Sequence, residues 1–388
     1  MKGEIKLIYL DNAATTKPFK EVVDVMVDVM QNHWGNPSGP YSLSDDARKI
    51  IEDVREQIAN DINAEPDEII FTSGACEANN LAIQGYLKAN KGARWWTTRM
   101  EHASIHKMTK NIFPKAMFVE NDECGFVKFQ PTFMKQFQTG QNSLISIGAA
   151  NGEIGTIQNL KYISDFAHEH GCVFHTDATQ LFPERPINVK ELGIDMMSVS
   201  AQKFNGPRGV GFLYVKNGIK LDPIIYGSQE NGLRGGTYDT AAIAGMGEAL
   251  SITRNLYDFQ LKDANTEYFR NKLLNRLFEI PGTKLNGPPP GSNRLVNNIS
   301  LTIDGVNADK LVTLCGLYGV YIGKGSACQS YEPTPSHVLM AIGLADEFQT
   351  ERAFNTIRIT IGNNTTLEEI DLAAKIITQM VERIREDE

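Results

Sequence analysis

A lysine suited to covalent chemistry follows one of the apolar runs of this sequence. Lys203 stands in the segment 200–207 (SAQKFNGP), directly after the strand-like run 196–200. A lysine at a strand end can form an imine with an aldehyde cofactor. An isolated lysine would more often be a solvated surface residue, so this interpretation depends on the residues that accompany it.

Two further features fit the same chemistry. Asp177 ends the apolar run 173–177, and pyridoxal 5'-phosphate (PLP) requires a carboxylate beside its pyridinium nitrogen because the protonated ring is an electron sink. The segment 71–80 runs from a strand through Gly74 into a helix, whose first N–H groups and dipole suit a phosphate. Alone, Asp177 could be a turn residue or N-cap and Gly74 a packing glycine. With Lys203 they predict a PLP site.

Cys328 is the cysteine placed for reaction. It lies in the segment 323–330 (GKGSACQS), whose small residues predict a mobile loop that can present a thiolate to a substrate and swing outward. Cys172 and Cys315 lie in apolar patterns and are assigned to the core, whereas Cys124 lies in a turn and receives no role. The five cysteines form no CxxC pair or metal spacing, which is typical of a reducing cytoplasm.

Strand and helix patterns must bring these residues together. Apolar residues at helical spacing predict an amphipathic helix over 44–62, and short apolar runs alternating with helical patterns predict a mostly parallel sheet flanked by helices. Ligands collect at the carboxyl ends of the strands in such sheets. The predicted strands are 69–72, 95–98, 143–149, 173–177, 196–200 and 210–215, with a helix at 160–170.

The remainder of the chain reads as a smaller α+β unit. Helical patterns over 241–256 and 259–277 precede 281–292, whose glycines and prolines exclude regular structure. We therefore predict a large domain over 15–260 and a small domain made of 1–14 plus 261–388. The elements predicted after residue 292 are strands at 298–303 and 356–361, a helix at 308–318 and a final helix from Leu367.

Bulk composition excludes two classes of partner. A net charge of −9 over 388 residues argues against a nucleic-acid surface. No stretch approaches the ~18 apolar residues of a membrane span, and no signal peptide pattern opens the chain. We therefore expect a soluble cytoplasmic protein that binds no nucleic acid or membrane directly.

The motifs together resemble those of the cysteine desulfurases, PLP enzymes of fold type I in the class V aminotransferase-like family, over nearly the whole chain. This resemblance implies a mostly parallel seven-stranded sheet, a homodimer, and conversion of L-cysteine to L-alanine with a persulfide left on Cys328 for an acceptor protein. The matching residues are 11–16, 35–38, 74, 101–102, 151–155, 177–180, 203, 234–237, 325–328 and 358.

Roles for the matching residues follow from the same resemblance. Lys203 holds PLP as a Schiff base and transfers the substrate proton, His102 stacks on the ring, and Asp177 faces the ring nitrogen. Arg358 and Asn36 bind the substrate, with Arg358 gripping its carboxylate. Gln180, Asn151 and Gly152 lie at the phenolic oxygen, and the phosphate ligands are Gly74, Ala75, Cys76, Ser200, Gln202 and, across the dimer, Thr237. No resident metal is implied, although Cys328 could transiently ligate an iron–sulfur cluster.

Four positions depart from the family pattern. Tyr41 and Gln202 replace histidines, Cys76 replaces a phosphate-binding threonine, and Gly152 replaces an asparagine. Backbone donors at Ala75 and Cys76, with the Gln202 amide, are expected to keep the phosphate bound. Asn151 is expected to compensate in part for Gly152.

Two alternatives stay open. The chain could be a selenocysteine lyase or another class V PLP enzyme, in which Cys328 is incidental, or a catalytically impaired scaffold for sulfur-transfer proteins. The acceptor could belong to iron–sulfur cluster assembly, tRNA thiolation or DNA phosphorothioation. The long loop around Cys328 resembles the branch of the family that serves scaffold proteins.

Overall fold

The structure, a computed structural model, describes residues 7–129, 142–256, 259–325, 335–344 and 351–387. Its helices are α1 Lys20–Asn32, α2 Ser42–Ile62, α3 Ala75–Asn80, α4 Tyr86–Ala89, α5 Ala103–Asn111, α6 Leu160–Glu169, α7 Val189–Leu192, α8 Thr240–Leu256, α9 Phe259–Phe278, α10 Ala308–Leu317, α11 His337–Ala341, α12 Glu351–Phe354 and α13 Leu367–Glu386. Its strands are β1 Ile8–Leu10, β2 Ile69–Thr72, β3 Trp95–Thr97, β4 Met117–Phe118, β5 Glu120–Asn121, β6 Val127–Lys128, β7 Ser143–Ser146, β8 Cys172–Asp177, β9 Met196–Ser200, β10 Gly211–Val215, β11 Thr283–Leu285, β12 Asn298–Ile303, β13 Val320–Lys324 and β14 Thr356–Thr360.

Seven strands of the described chain form the larger sheet, in the order β2-β10-β9-β8-β7-β3-β4. Neighbours from β9 to β4 are parallel, whereas β10 is antiparallel to both β2 and β9. Successive residues of β2 point to opposite faces, and Ile70 and Phe71 belong to different apolar clusters. Because both faces are covered, the strands are continuously apolar rather than alternating. The predicted mostly parallel sheet is confirmed.

A second sheet combines the two ends of the chain. Within the described residues its order is β1-β13-β14-β12-β11, and only the pair β1–β13 is parallel. Leu273 of α9, Leu311 of α10 and Ile377 of α13 bury their side chains in an apolar cluster of this sheet. The smaller α+β unit is therefore present, while the exact division at 15–260 and 1–14 plus 261–388 stays a prediction.

Helix α2 shows how local sequence produces these elements. Ala47, Ile51, Val54, Ile58 and Ile62 recur every three or four residues, and all are buried on one face. The helix ends where Asn63 takes a left-handed conformation with φ 59°, which asparagine tolerates better than most residues. The prediction of 44–62 was therefore correct to within two residues.

Two expectations about elements were wrong in detail. The segment 281–292 contains β11, a three-residue strand that pairs with β12 at the edge of the smaller sheet, where glycine and proline nearby are tolerated. The strand predicted over 143–149 ends at Ser146, because the backbone N–H of Gly148 instead donates to the Glu101 side chain. No described helix is long and apolar enough to cross a bilayer.

Candidate active site

The candidate residues lie where parallel strands of the larger sheet end. β8 ends at Asp177 and the adjacent β9 ends at Ser200, after which the 3-10 turn Ala201–Lys203 leaves the sheet. The backbone N–H of Ala149, beyond β7, donates to the carbonyl of Asp177 at 2.9 Å. Three neighbouring strand ends are thus joined at the edge where such sheets bind ligands.

The amine of Lys203 is held by the segment that follows β1. Its Nζ donates to the carbonyl oxygens of Ala13, at 2.6 Å, and Ala14, at 2.7 Å. Ala13 N in turn donates to Thr360 Oγ1 of the smaller sheet at 2.9 Å. Lys203 therefore lies at the junction of the two sheets, beside a cleft lined by residues of both: Asn12, Ala13, Thr179, Gln180, Asn297 and Asn363.

A chain of hydrogen bonds connects Asp177 to His102. Asn79 Nδ2 donates to Asp177 Oδ2 at 2.7 Å and to Ser104 Oγ at 3.0 Å, and Ser104 Oγ lies 2.9 Å from His102 Nδ1. The other oxygen of Asp177 accepts from the backbone N–H of Thr179 at 3.0 Å. The structure therefore brings Asp177 and His102 into one hydrogen-bond network.

Three closely approaching backbones form a cradle beside Ser200. Gly74 has φ 130°, and a Cβ atom there would lie 3.2 Å from Ser200 Oγ. A Cβ atom on Gly211 of β10 would lie 2.8 Å from the Gly74 Cα. Only glycine allows this approach. The Ser200 hydroxyl thus stands beside the start of α3, where the N–H groups of Ala75 and Cys76 come before the first intrahelical partners.

Other predicted phosphate ligands lie around this cradle. Thr16 donates to the carbonyl of Gln202 through its N–H and its hydroxyl, each at 2.9 Å, which fixes the turn that carries Lys203. Arg234 Nε donates to Glu77 Oε1 at 2.9 Å, which joins the loop before Thr237 to α3. Burial opposes ionisation of Glu77, but hydrogen bonds from Arg234 and Ser73 lower its pKa.

Thr237 and Asn36 are not part of the group around Lys203. Both side chains are exposed on loops, and the contacts that join Lys203, Asp177 and His102 do not include them. Asn36 Oδ1 accepts from the N–H of Ser38 at 3.0 Å. Their predicted roles in substrate and phosphate binding stay predictions.

The absence of a side chain at Gly152 leaves room for Gln180. A Cβ atom on Gly152 would lie 2.6 Å from the Gln180 Cδ. Gln180 Nε2 donates to the carbonyl of Ala13 at 3.1 Å, the same oxygen that accepts from Lys203. The amide predicted to bind a phenolic oxygen therefore stands next to the lysine.

Asn151 is engaged in its own turn. Its Nδ2 donates to Met100 O at 3.0 Å, and its Oδ1 accepts from the N–H groups of Glu153, at 2.9 Å, and Ile154, at 3.1 Å. The side chain thus holds the backbone on both sides of Gly152. The expected role of Asn151 as a substitute ligand stays a prediction. The structure adds a second role, which is to hold this turn in place.

Arg358 points from β14 of the smaller sheet toward the larger one. Its Nη2 donates to Asp11 Oδ1 at 2.8 Å, and its Nη1 lies 3.5 Å from the carbonyl of Gly152. Its Nε is buried and has no hydrogen-bond partner within the described chain. An arginine fork with an unused donor is suited to a carboxylate.

Two buried carboxyl groups flank the site. Burial raises the pKa of Glu101 to about 7, although a hydrogen bond from Thr98 opposes the shift. Burial likewise raises the pKa of Glu153 to about 7, opposed by a hydrogen bond from Ser336. Both acids can therefore change charge near neutral pH.

The predicted reactive cysteine lies outside the described residues, because these end at Gly325 and resume at 335. Cys172 and Cys315 are buried, as predicted, and Cys76 is exposed at the start of α3. Three residues without a predicted role, Asn79, Ser104 and Asp11, form hydrogen bonds to Asp177, His102 and Arg358 respectively. Among the described ranges, no cluster of three metal-binding side chains occurs.

The chain is similar in sequence to known proteins over nearly its whole length. Residues 8–372 match the family described as aminotransferase class-V. A protein of Clostridium botulinum named cysteine desulfurase IscS is 38% identical over 98% of this chain and 96% of its own length. A protein of the same name from Dictyoglomus turgidum is 39% identical over 99% of this chain and 96% of its own length.

Solved structures are also similar over most of the chain. One described as a NifS-like protein has a TM-score of 0.88 and 29% identity, covering 97% of this chain and all of the other. A structure titled SspA in complex with cysteine has a TM-score of 0.76 and 31% identity, covering 92% of this chain and 99% of the other. Likeness in sequence and in structure thus extends over both sheets.

Proposed function

The chain belongs to the aminotransferase class-V family and is a cysteine desulfurase, and from this premise we propose that Lys203 holds PLP while Cys328 takes the sulfur of L-cysteine. The observation that carries the proposal is the placement of Lys203 and Asp177 at adjacent strand ends, with the cradle of Gly74 and Ser200 at the neighbouring strands. An amine, a carboxylate and a phosphate cradle are the three groups that PLP needs.

The residues fit the cofactor at each of its polar ends. The cradle beside Gly74, which a Cβ atom would fill, would hold the phosphate together with the Ser200 hydroxyl. Asp177, which accepts hydrogen bonds from Asn79 and Thr179, would face the ring nitrogen. His102 lies at the other end of the same hydrogen-bond network, and Gln180 stands beside the amine. Once bound, PLP withdraws electrons from the substrate Cα, which acidifies its proton and activates the carbon–sulfur bond.

Protein groups then perform the remaining tasks. Arg358 binds the α-carboxylate of cysteine through donors that Asp11 does not occupy, which orients the substrate. The Lys203 amine takes the Cα proton, and the carbonyls of Ala13 and Ala14 fix its orientation between transfers. The Cys328 thiolate attacks the substrate sulfur, so that a sulfur–sulfur bond forms as the carbon–sulfur bond breaks. The carbon skeleton leaves as L-alanine and the sulfur stays as a persulfide.

We further propose a cytoplasmic homodimer that delivers sulfur to an acceptor or scaffold protein, including one for iron–sulfur clusters. Exposed aromatic side chains support a partner surface: Trp34 is 68% exposed, Tyr41 53% and Tyr226 81%. Isolated exposed apolar residues are ordinary, but Trp34 and Tyr41 lie in the same short connection between α1 and α2. Thr237 is exposed on the surface of the chain, as contact with the phosphate of the partner subunit requires.

Product analysis tests the proposed activity against its alternatives. The purified chain, supplied with PLP and L-cysteine, should yield alanine and protein-bound sulfur in equal amounts without a keto acid. Keto acid formation would instead indicate an aminotransferase, and activity on L-selenocysteine alone a selenocysteine lyase. A colourless protein that takes up no PLP would indicate the impaired scaffold.

A matched pair of lysine variants tests whether Lys203 holds the cofactor. Lys203→Ala should lose the visible absorbance of lysine-bound cofactor, because the amine that would form the imine is removed. Lys216→Ala is the control, since Lys216 also follows a strand of the larger sheet but β10 runs in the opposite direction. The control should keep the absorbance of the parent protein, and equal absorbance in both variants would contradict the assignment of Lys203.

A further inference from the structure

One carboxyl group touches both ends of the segment that carries Cys328. A Cβ atom on Gly325, the last described residue before the segment 326–334, would lie 2.3 Å from Glu153 Oε1. Ser336, just after the segment, donates through Oγ to Glu153 Oε2 at 2.8 Å. Gly325 and Ser336, on the two sides of the segment 326–334, thus each lie beside one oxygen of the same carboxyl group.

Glu153 is itself fixed in the turn beyond β7. Its N–H donates to Asn151 Oδ1 at 2.9 Å, and its carbonyl lies 3.5 Å from Asn298 Nδ2. Only 7% of the residue is exposed. Because the turn is held on both sides and the side chain is buried, the carboxyl group has few alternative positions.

The far end of the segment is attached to the same region. Ser336 caps α11 by accepting from the N–H of Val338 at 3.2 Å, and His337 Nε2 donates to the carbonyl of Glu101 at 2.8 Å. Val338 and Leu339 bury their side chains against Met100 and Ile154 in a separate apolar cluster. The position of Ser336 therefore does not depend on Glu153 alone, although the Glu153 carboxyl group lies against both Ser336 and Gly325.

We propose, on the basis of the function proposed above, that Glu153 is a positioning residue for sulfur transfer that fixes both ends of the segment carrying Cys328. Cys328 is three residues beyond Gly325, so it can reach no more than about 10 Å from that point. Sulfur transfer requires two atoms to approach closely, and a displacement of about 1 Å can lower the rate of such a reaction by about 100-fold. The effect should therefore fall on the transfer of sulfur and not on binding of substrate.

Two substitutions separate the contact from simple packing. Glu153→Met keeps the approximate volume of the buried side chain and removes both oxygens, a change that buried sites often tolerate. Glu153→Gln keeps an oxygen that accepts from Ser336. Glu68→Gln is the control, because Glu68 is also buried and accepts from the N–H groups of Glu65 and Asn217, remote from Cys328 in the chain.

The measurement is the single-turnover rate of persulfide formation on Cys328, followed by mass spectrometry, alongside the change in cofactor absorbance on adding L-cysteine. Glu153→Met should slow persulfide formation by about 10- to 100-fold while the absorbance change is kept. Glu153→Gln should recover most of the rate, and Glu68→Gln should match the parent protein.

The outcomes distinguish this inference from the proposed function. A parent protein that forms no persulfide on Cys328 would overturn the proposed function itself. If the parent forms it and Glu153→Met does so at the same rate, the positioning role is wrong. It is equally wrong if Glu153→Met loses the absorbance change in proportion to the rate, because that result places the defect in cofactor or substrate binding.

Discussion

Arg358 and Asp11 form an ion pair between two segments of the smaller sheet, with 2.8 Å between Nη2 and Oδ1. Asp11 follows β1 and Arg358 lies within β14, so the pair places the guanidinium beside the segment that holds Lys203. The arginine side chain is 9% exposed and that of the aspartate 20%. The pair thus orients the fork, whose buried Nε has no hydrogen-bond partner within the described residues.

Arg358→Lys should therefore impair the binding of L-cysteine. A lysine keeps the charge and its contact with Asp11 but loses the planar fork that binds a carboxylate through two bonds. Loss of one charge-assisted hydrogen bond, about 1.5–3 kcal/mol, corresponds to a KM raised by about 10- to 100-fold. Steady-state kinetics with L-cysteine measures it. An unchanged KM would show that another residue binds the carboxylate.

Gly152→Ala should change the cofactor site more than the fold. The added Cβ would displace the amide of Gln180, which is the end of a flexible, half-buried side chain, so the free energy of unfolding should change by less than about 1 kcal/mol. Cofactor absorbance and affinity should nevertheless change, because the amide beside Lys203 has moved. Spectral titration with PLP and urea unfolding measure the two effects.

Gln180→Ala supplies the control for that experiment. In this background the Gly152→Ala substitution has no amide to displace, so the two changes should be strongly non-additive in cofactor affinity. Additive effects would mean that Gly152 acts independently of Gln180.

Glu101→Gln should alter the pH dependence of stability. Burial raises the pKa of Glu101 to about 7 from the ordinary value of 4.5, so the folded chain binds more protons than the unfolded one between these values. The free energy of unfolding of the parent therefore falls as pH rises through this window. Relative to the non-titrating variant the parent should lose on the order of 3 kcal/mol between about pH 4.5 and about pH 8.

Denaturation of both proteins without cofactor at these two pH values is the measurement. The difference between the two proteins reports on Glu101 alone, because other titrating groups are present in both. One such group is His175, whose pKa burial lowers to about 4. Glutamine can accept from Gly148 and donate to Thr98, so it fits the same contacts. Equal pH dependence of the two proteins would show that Glu101 is ionised throughout.

The features that depend only on residues adjacent in the chain could be predicted from the sequence. Lys203 and Asp177 follow apolar runs, and a parallel sheet brings such ends to one edge, so their proximity could be predicted. Gly74 was found because a strand, a glycine and a helix start are adjacent in the chain. The strand limits of β2, β9 and β12 were likewise correct, since continuous apolar runs of this length are typical of buried strands.

Residues that act through partners distant in the chain were missed. Asn79 and Asp177 are 98 residues apart, and Asp11 and Arg358 are 347 apart. Neither pair has a spacing that local periodicity can detect. Asn79 stood within the segment singled out for phosphate binding, but the face of the helix toward Asp177 is set by packing of α3 against β9, not by the motif. The contact of Gly152 with Gln180 was hidden for the same reason.

The location of the transferred sulfur tests the central claim most directly. The parent protein, Cys328→Ala and Cys76→Ala would each be incubated with L-cysteine and PLP, and the persulfide located by mass spectrometry of alkylated peptides. Cys76 is the control because it is an exposed thiol near the cradle. We expect the persulfide on Cys328 in the parent and in Cys76→Ala, and none in Cys328→Ala, which should still bind PLP and cysteine. Full sulfur release by Cys328→Ala, or a persulfide found on Cys76 instead, would contradict the account.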